Sequence, residues 1–202
     1  MTTIRFRTLI IAHRCNLDGP GGPDENTLAG IHKASDFGFH SEIDLWHVPN
    51  DVGIGQMGTL KLGHDRGVEQ TYLTDLELWC RHLWIHCKNP TALVSLIQVF
   101  GTGSKFRFFT HDIDPYALVS DGSVWAYPGS KLYGKRYVAV LPEKTTYTLE
   151  QLADCKAVCT DYPRLYKEMV QAYASCDPSS GARKKLEADY LQFLDSIRTP
   201  QA

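Results

Sequence analysis

Two histidines stand at the ends of short apolar runs, each followed at once by a polar partner: Ile10-Ile11-Ala12-His13-Arg14 and Lys61-Leu62-Gly63-His64-Asp65. Glu42-Ile43-Asp44 closes a run between them, and His86-Cys87-Lys88 closes a later one. Residues two apart on a strand share a face, so Glu42 sits beside Asp44 and His86 beside Lys88. Two carboxylates on one face repel, and neither has a basic partner in the local sequence. A divalent cation would relieve that repulsion, and oxygen ligands suit magnesium or calcium. Imidazole exchanges a proton near neutral pH and guanidinium holds a pair of phosphate oxygens, so His13-Arg14 carries both tools. His86 could complete a metal site while Lys88 neutralises phosphate charge. Each feature also has a plainer reading: a core histidine, a solvated strand end, or Asp65 as a cap. Zinc on His86 and Cys87 would lack a second cysteine at suitable spacing.

Such groups must be delivered by elements, and one pattern recurs along the chain: a short β-like run ending in polar residues. Leu9–His13, Ser41–Trp46, Leu60–Asp65 and Leu83–Lys88 are followed by Arg107–Asp112, Ser123–Pro128, Tyr137–Glu143 and Ala157–Tyr162. Helical spacing falls between several of them. One helix opens at Glu25-Asn26-Thr27 and stops at Gly38; others cover Thr91–Phe100, Thr148–Cys155 and the stretch from Pro163 through Tyr173. Eight runs alternating with helices predict a compact (β/α)8 TIM barrel, whose chemistry would lie on the C-terminal rim of its strands. The chain is short for that architecture, so some helices are expected as loops, with Pro49 to Gly58 one such loop or a hairpin. Residues 1–175 would form the barrel. Residues 176–202 would add a linker and an amphipathic helix, with Leu186, Tyr190, Phe193 and Leu194 on the face that packs.

A length of 202 residues, 43% hydrophobic and 22% charged, describes one ordinary globular domain. A net charge of −2 gives no global attraction to nucleic acid or anionic membrane. No segment approaches the roughly 20 apolar residues of a membrane span, and the apolar run after Met1 is too short for a secretory leader. Six cysteines without C-x-x-C pairs read as free thiols, which makes the cytoplasm the expected compartment.

Taken in order, these motifs resemble the glycerophosphodiester phosphodiesterase family, within the superfamily that includes phosphatidylinositol-specific phospholipase C. The family's His-Arg-Gly, Glu-Asn-Thr, Glu-x-Asp and His-Asp are matched by His13-Arg14-Cys15, Glu25-Asn26-Thr27, Glu42-Ile43-Asp44 and His64-Asp65. Its later Thr-Asp-x-Pro is matched by Thr160-Asp161-Tyr162-Pro163, and a late strand carries Trp125. The resemblance implies a metal-dependent phosphodiesterase acting on small phosphodiesters. His13 and His64 would be the acid–base pair, and Arg14, Lys88 and Trp125 would bind substrate. Glu42, Asp44 and His86 would hold magnesium or calcium, with manganese a further option, supported by Glu25, Asp65 and Asp161.

Three departures stand out. His86 occupies the place of an acidic third ligand, Cys15 replaces a glycine, and a long insertion common after the His-Asp strand is missing. Two other readings follow: a phosphodiester-binding pseudoenzyme, and a phospholipase D-like lyase releasing a cyclic phosphate. Phe109, Trp125, Tyr127 and Tyr162 could line a pocket, and His111-Asp112 could face the site.

Overall fold

The computed structural model describes residues 8–48, 58–65, 68–101, 105–177 and 180–198. All eight apolar runs form strands, and two three-residue strands join them. In chain order these are β1 (Leu9–Ala12), β2 (His40–Val48), β3 (Thr59–Leu62), β4 (Glu69–Thr71) and β5 (Leu83–Cys87). Next come β6 (Arg107–Phe109), β7 (Tyr116–Leu118), β8 (Val124–Ala126), β9 (Tyr137–Val140) and β10 (Ala157–Thr160). The helices are α1 (Leu28–Asp36), α2 (Leu73–Glu77), α3 (Pro90–Phe100), α4 (Leu149–Ala153), α5 (Pro163–Ser175) and α6 (Gly181–Arg198). Sequence logic explains their ends. Thr27, Asn89 and Thr148 cap α1, α3 and α4 through side-chain oxygens, and Gly101 ends α3 at a positive φ of 68° that glycine adopts without strain.

The expected closed (β/α)8 barrel does not form. The strands make one mixed, open, curled sheet, ordered β4-β3-β2-β1-β10-β9-β8-β7, with β5 pairing β2 and β6 pairing β5. Seven strands run parallel in the series β8-β9-β10-β1-β2-β5-β6. The third run is the reason the eighth barrel place stays empty. Only residues 49–58 separate β2 from β3, fewer than the dozen or more a parallel crossover needs, so β3 folds back antiparallel on the C-terminal half of β2. β5 then takes the parallel place beside β2, with Asp44 opposite His86. β7 likewise returns as an antiparallel hairpin on β8. The curl brings β6 to that hairpin's turn, where the Ser120 N–H donates to the Phe108 carbonyl without a strand pair. The loop or hairpin expected over Pro49 to Gly58 lies, except for Gly58, outside the described residues.

Alternation along the strands sorts the side chains. On the concave face, Ile11, Trp84, Phe109, Trp125, Val138 and Cys159 pack into one cluster. Convex-face residues such as Ile10, Ala12, Ile43 and Ile85 pack under the helices. Each large side chain fully buried in this way contributes about 1.5–3 kcal/mol. The terminal helix α6 seats Tyr190 and Leu194 in the cluster that holds Tyr166 and Val170 of α5. No helix among the described residues is long and apolar enough to cross a membrane.

Candidate active site

The parallel strands deliver their C-terminal ends to one rim, as a closed barrel would. Beyond β1 the chain makes a single 3-10 turn, His13–Cys15, in which Arg14 (φ 51°) and Cys15 (φ 67°) are left-handed. Asn26 (φ 55°) is left-handed as well. A non-glycine residue there costs roughly 1–2 kcal/mol, and strain of this kind collects at functional sites. Cys15 therefore adopts backbone geometry suited to glycine. The turn aims the Arg14 N–H at Glu42 Oε2, 3.0 Å away.

His13 Nδ1 lies 2.8 Å from Asp161 Oδ1. That carboxylate is held by Asn16 Nδ2 at 2.9 Å, and the Asp161 N–H donates to Glu143 Oε1, also at 2.9 Å. Burial alone would raise the Asp161 pKa, but the His13 hydrogen bond and charge hold it below the usual carboxylate range. An ionised carboxylate can only accept, so Nδ1 carries the proton and Nε2 is left for chemistry, 4.0 Å from Glu42 Oε2. Burial works against charging the His13 ring, yet the Asp161 hydrogen bond and the Glu42 charge outweigh it and raise its pKa.

Glu42, Asp44 and His86 offer ligand atoms that all lie within 4.8 Å of one another. The two carboxyls titrate in opposite directions. Burial, and then the charge of Asp44, push Glu42 up. Burial would raise Asp44 too, but the His86 hydrogen bond and the charges of Lys88, His86 and Arg14 bring it down to about 2. Basic partners absent from the local sequence thus arrive from other elements: His86 Nδ1 at 3.0 Å, Arg14 Nε at 3.2 Å and Lys88 Nζ at 3.4 Å. Glu25 ion-pairs Arg14 at 3.2 Å and accepts from Asn16 and from the Gly21 N–H.

Other expected residues stand differently. His64 follows Gly63, whose N–H donates to the Asp44 carbonyl, so the loop borders the site. Its imidazole is half exposed and pairs with its exposed neighbour Asp65 at 2.7 Å. Trp125 is buried beneath the site, packed on Phe109 and Trp84 with ring centroids 4.5 and 5.9 Å apart. Tyr162 packs on Phe193 of α6.

Asn16, Asn26 and Glu143 join the site beyond the roles expected from sequence, and His111, which the sequence offered as a group that could face the site, lies beside it. Asn26 bonds Asp44 twice, Nδ2 to Oδ2 at 3.0 Å and Oδ1 from the Asp44 N–H at 2.8 Å. Asn16 and the buried Glu143 fix Asp161. His111, two residues beyond β6, stacks on Tyr127 with centroids 3.3 Å apart, and its ring lies 6.2 Å from that of His86. The signals were present: Asn26 sits inside Glu-Asn-Thr, and His111 ends a run just as His13 does.

Buried polar atoms without a partner mark what this rim lacks. Among the described residues seven such side-chain atoms occur, and four belong here: Arg14 Nε, Asn16 Oδ1, His86 Nε2 and His111 Nδ1. The Arg14 Nε–H lies close to Asp44 but is not aimed at it, so the 3.2 Å ion pair leaves a donor unused. Native interiors leave few such groups, and four at one rim make it a candidate binding site. Among the described residues, four carboxylates (Glu25, Glu42, Asp44 and Asp161) share this rim with the cations Arg14 and Lys88, and Lys144 adds its charge near Asp161. An oxygen-rich anion would be repelled unless a cation came with it. An imidazole beside two carboxylates, with ligand atoms all within 4.8 Å of one another, is a donor set that fits a divalent metal. In comparisons with known proteins, no family model, no curated protein and no solved structure matches the chain.

Proposed function

We propose that this chain is a metal-dependent phosphodiesterase resembling the glycerophosphodiester phosphodiesterase family. It would hydrolyse glycerophosphodiesters or related small phosphodiesters to an alcohol and a phosphomonoester. One observation carries the reading: an imidazole locked to a buried carboxylate shares a rim with a Glu42–Asp44–His86 cluster and two cations, and nitrogens at that rim lack partners.

Glu42, Asp44 and His86 would hold the divalent cation, which would offset the diester's charge and polarise its phosphorus–oxygen bonds. Arg14 supplies an unused Nε–H to a phosphate oxygen, and Lys88 adds charge beside it. His13, its tautomer fixed by Asp161, takes a proton at Nε2 from the attacking oxygen, either water directly or a neighbouring substrate hydroxyl whose cyclic phosphate water then opens to the phosphomonoester. A second imidazole returns a proton to the leaving alkoxide. His64 holds that part in the motif order, and His111 is the competing imidazole by position. The six free cysteines support a reducing, cytoplasmic setting.

The test is phosphorus NMR of glycerophosphocholine mixed with the full chain, with and without a divalent salt. A phosphomonoester signal that grows only with the cation supports the reading, and none with any cation from folded protein rejects it. Binding without turnover is the second reading, favoured by one observation: Arg14 and Lys88 already lie against Asp44. Phosphodiester affinity that survives in a preparation without turnover would select it.

A further inference from the structure

We propose that the Glu42–Asp44–His86 cluster selects a nitrogen-accepting divalent ion of the manganese or cobalt kind over magnesium or calcium, with His86 as the selecting residue; this rests on the metal reading above. Backbone register alone makes the imidazole a fixed part of the cluster, since Asp44 and His86 are direct partners on parallel β2 and β5. The ring is pinned twice. Nδ1 bonds Asp44 Oδ1 at 3.0 Å, and the face stacks on Phe109 with centroids 5.1 Å apart and planes 3° apart. Nε2 is left buried and unpaired. Nδ1 is therefore the nitrogen offered to the cluster, and its 3.0 Å from Asp44 Oδ1 suits two neighbouring ligands of one ion, each roughly 2.1 Å from it.

The carboxylates argue in the same direction. Hard cations are held by several charged oxygens. Arg14 Nε and Lys88 Nζ already lie 3.2 and 3.4 Å from Asp44, and Asn26 donates to it at 3.0 Å, so much of its charge is spent. Glu42 also accepts the Arg14 N–H. What remains is one carboxylate with less competition and one imidazole nitrogen, a poor set for calcium or magnesium and a better one for an ion that accepts nitrogen.

The test is calorimetric titration of chelator-stripped full chain with manganese, cobalt, magnesium and calcium chlorides, beside the visible spectrum of the cobalt form. His86→Asp is compared, with near-ultraviolet circular dichroism to check its fold. Manganese and cobalt should bind at least about tenfold tighter than magnesium. His86→Asp should narrow that ratio about tenfold or more, and the cobalt bands should shift. Equal affinities in the wild type, or an unchanged ratio in a folded His86→Asp, would overturn the selection while leaving a metal site standing. Failure of every ion to bind would remove the metal reading itself and this inference with it.

Discussion

Two histidine–aspartate pairs with nearly the same spacing lie along this rim and differ in almost everything else. His13 and Asp161 meet at 2.8 Å across 148 residues of chain, with the Asp161 side chain 3% exposed and held by Asn16 and the Glu143-bonded backbone. His64 and Asp65 meet at 2.7 Å as chain neighbours, and the Asp65 side chain is 93% exposed. Distance alone would rank them equal. Burial decides otherwise: a hydrogen bond to a charged group gains strength in a low-dielectric site, whereas an exposed ion pair contributes about 0–1 kcal/mol. The first pair is built into the fold through β1, β10 and the turn after β9. The second rests on an antiparallel hairpin outside the parallel series.

The sharpest way to break this contrast is turnover. His13→Ala should lower kcat about 10³-fold in phosphodiester hydrolysis, and His64→Ala should cost less. Equal losses would put the two imidazoles on the same footing. Asp161→Asn should keep the ring in place but favour the wrong tautomer, lowering kcat about 10²- to 10⁴-fold, whereas Asp65→Asn should stay within about twofold. Stability offers a third separation. By urea denaturation Asp161→Ala should cost about 2–4 kcal/mol, because Asn16 and His13 lose a buried partner, and Asp65→Ala less than about 0.5 kcal/mol.

An intermediate case calibrates the scale. Asp121, partly buried, meets Lys156 Nζ at 2.7 Å and Arg107 Nε at 3.0 Å. Burial opposes its charge, but the Lys156 and Ser123 hydrogen bonds hold its pKa down to about 2. A carboxyl depressed by folding stabilises the protein above the unfolded value of about 3.9, and that contribution is lost as pH falls through about 2. After discounting for solvent, Asp121→Asn should cost about 1 kcal/mol at pH 7. Denaturation at successive pH values should show that gap starting to close below about pH 4.

Much of this was legible in the chain, for identifiable reasons. Runs such as Leu9–Ala12 and Leu83–Cys87 are apolar on both faces, as buried parallel strands are, and they announce themselves. Glu69–Thr71 and Tyr116–Leu118 leave no such mark, because three residues carry no periodicity and each pairs only antiparallel. Closure could not be read either. Apolar pattern says that Leu60 and Leu62 point inward, but not that the short link before them forces β3 to reverse. The site shows the same division. His13, Arg14, Glu42, Asp44, His86, Lys88 and Asp161 stand out by type and order. Asn16 and Glu143 work through hydrogen bonds to distant residues, and a lone amide or glutamate gives no sign of that in sequence, whereas Asn26 is marked only by its place inside Glu-Asn-Thr. His64 shows the limit of motif order, since order fixes the loop but not how deeply its ring is buried.

The most direct test of the central claim is the hydrolysis of glycerophosphocholine, followed by phosphorus NMR, for wild type, His13→Ala and His64→Ala at equal folded concentration with saturating manganese. The account expects cation-dependent product from wild type, a loss of about 10³-fold in His13→Ala and a smaller loss in His64→Ala. Undiminished turnover in folded His13→Ala would contradict it.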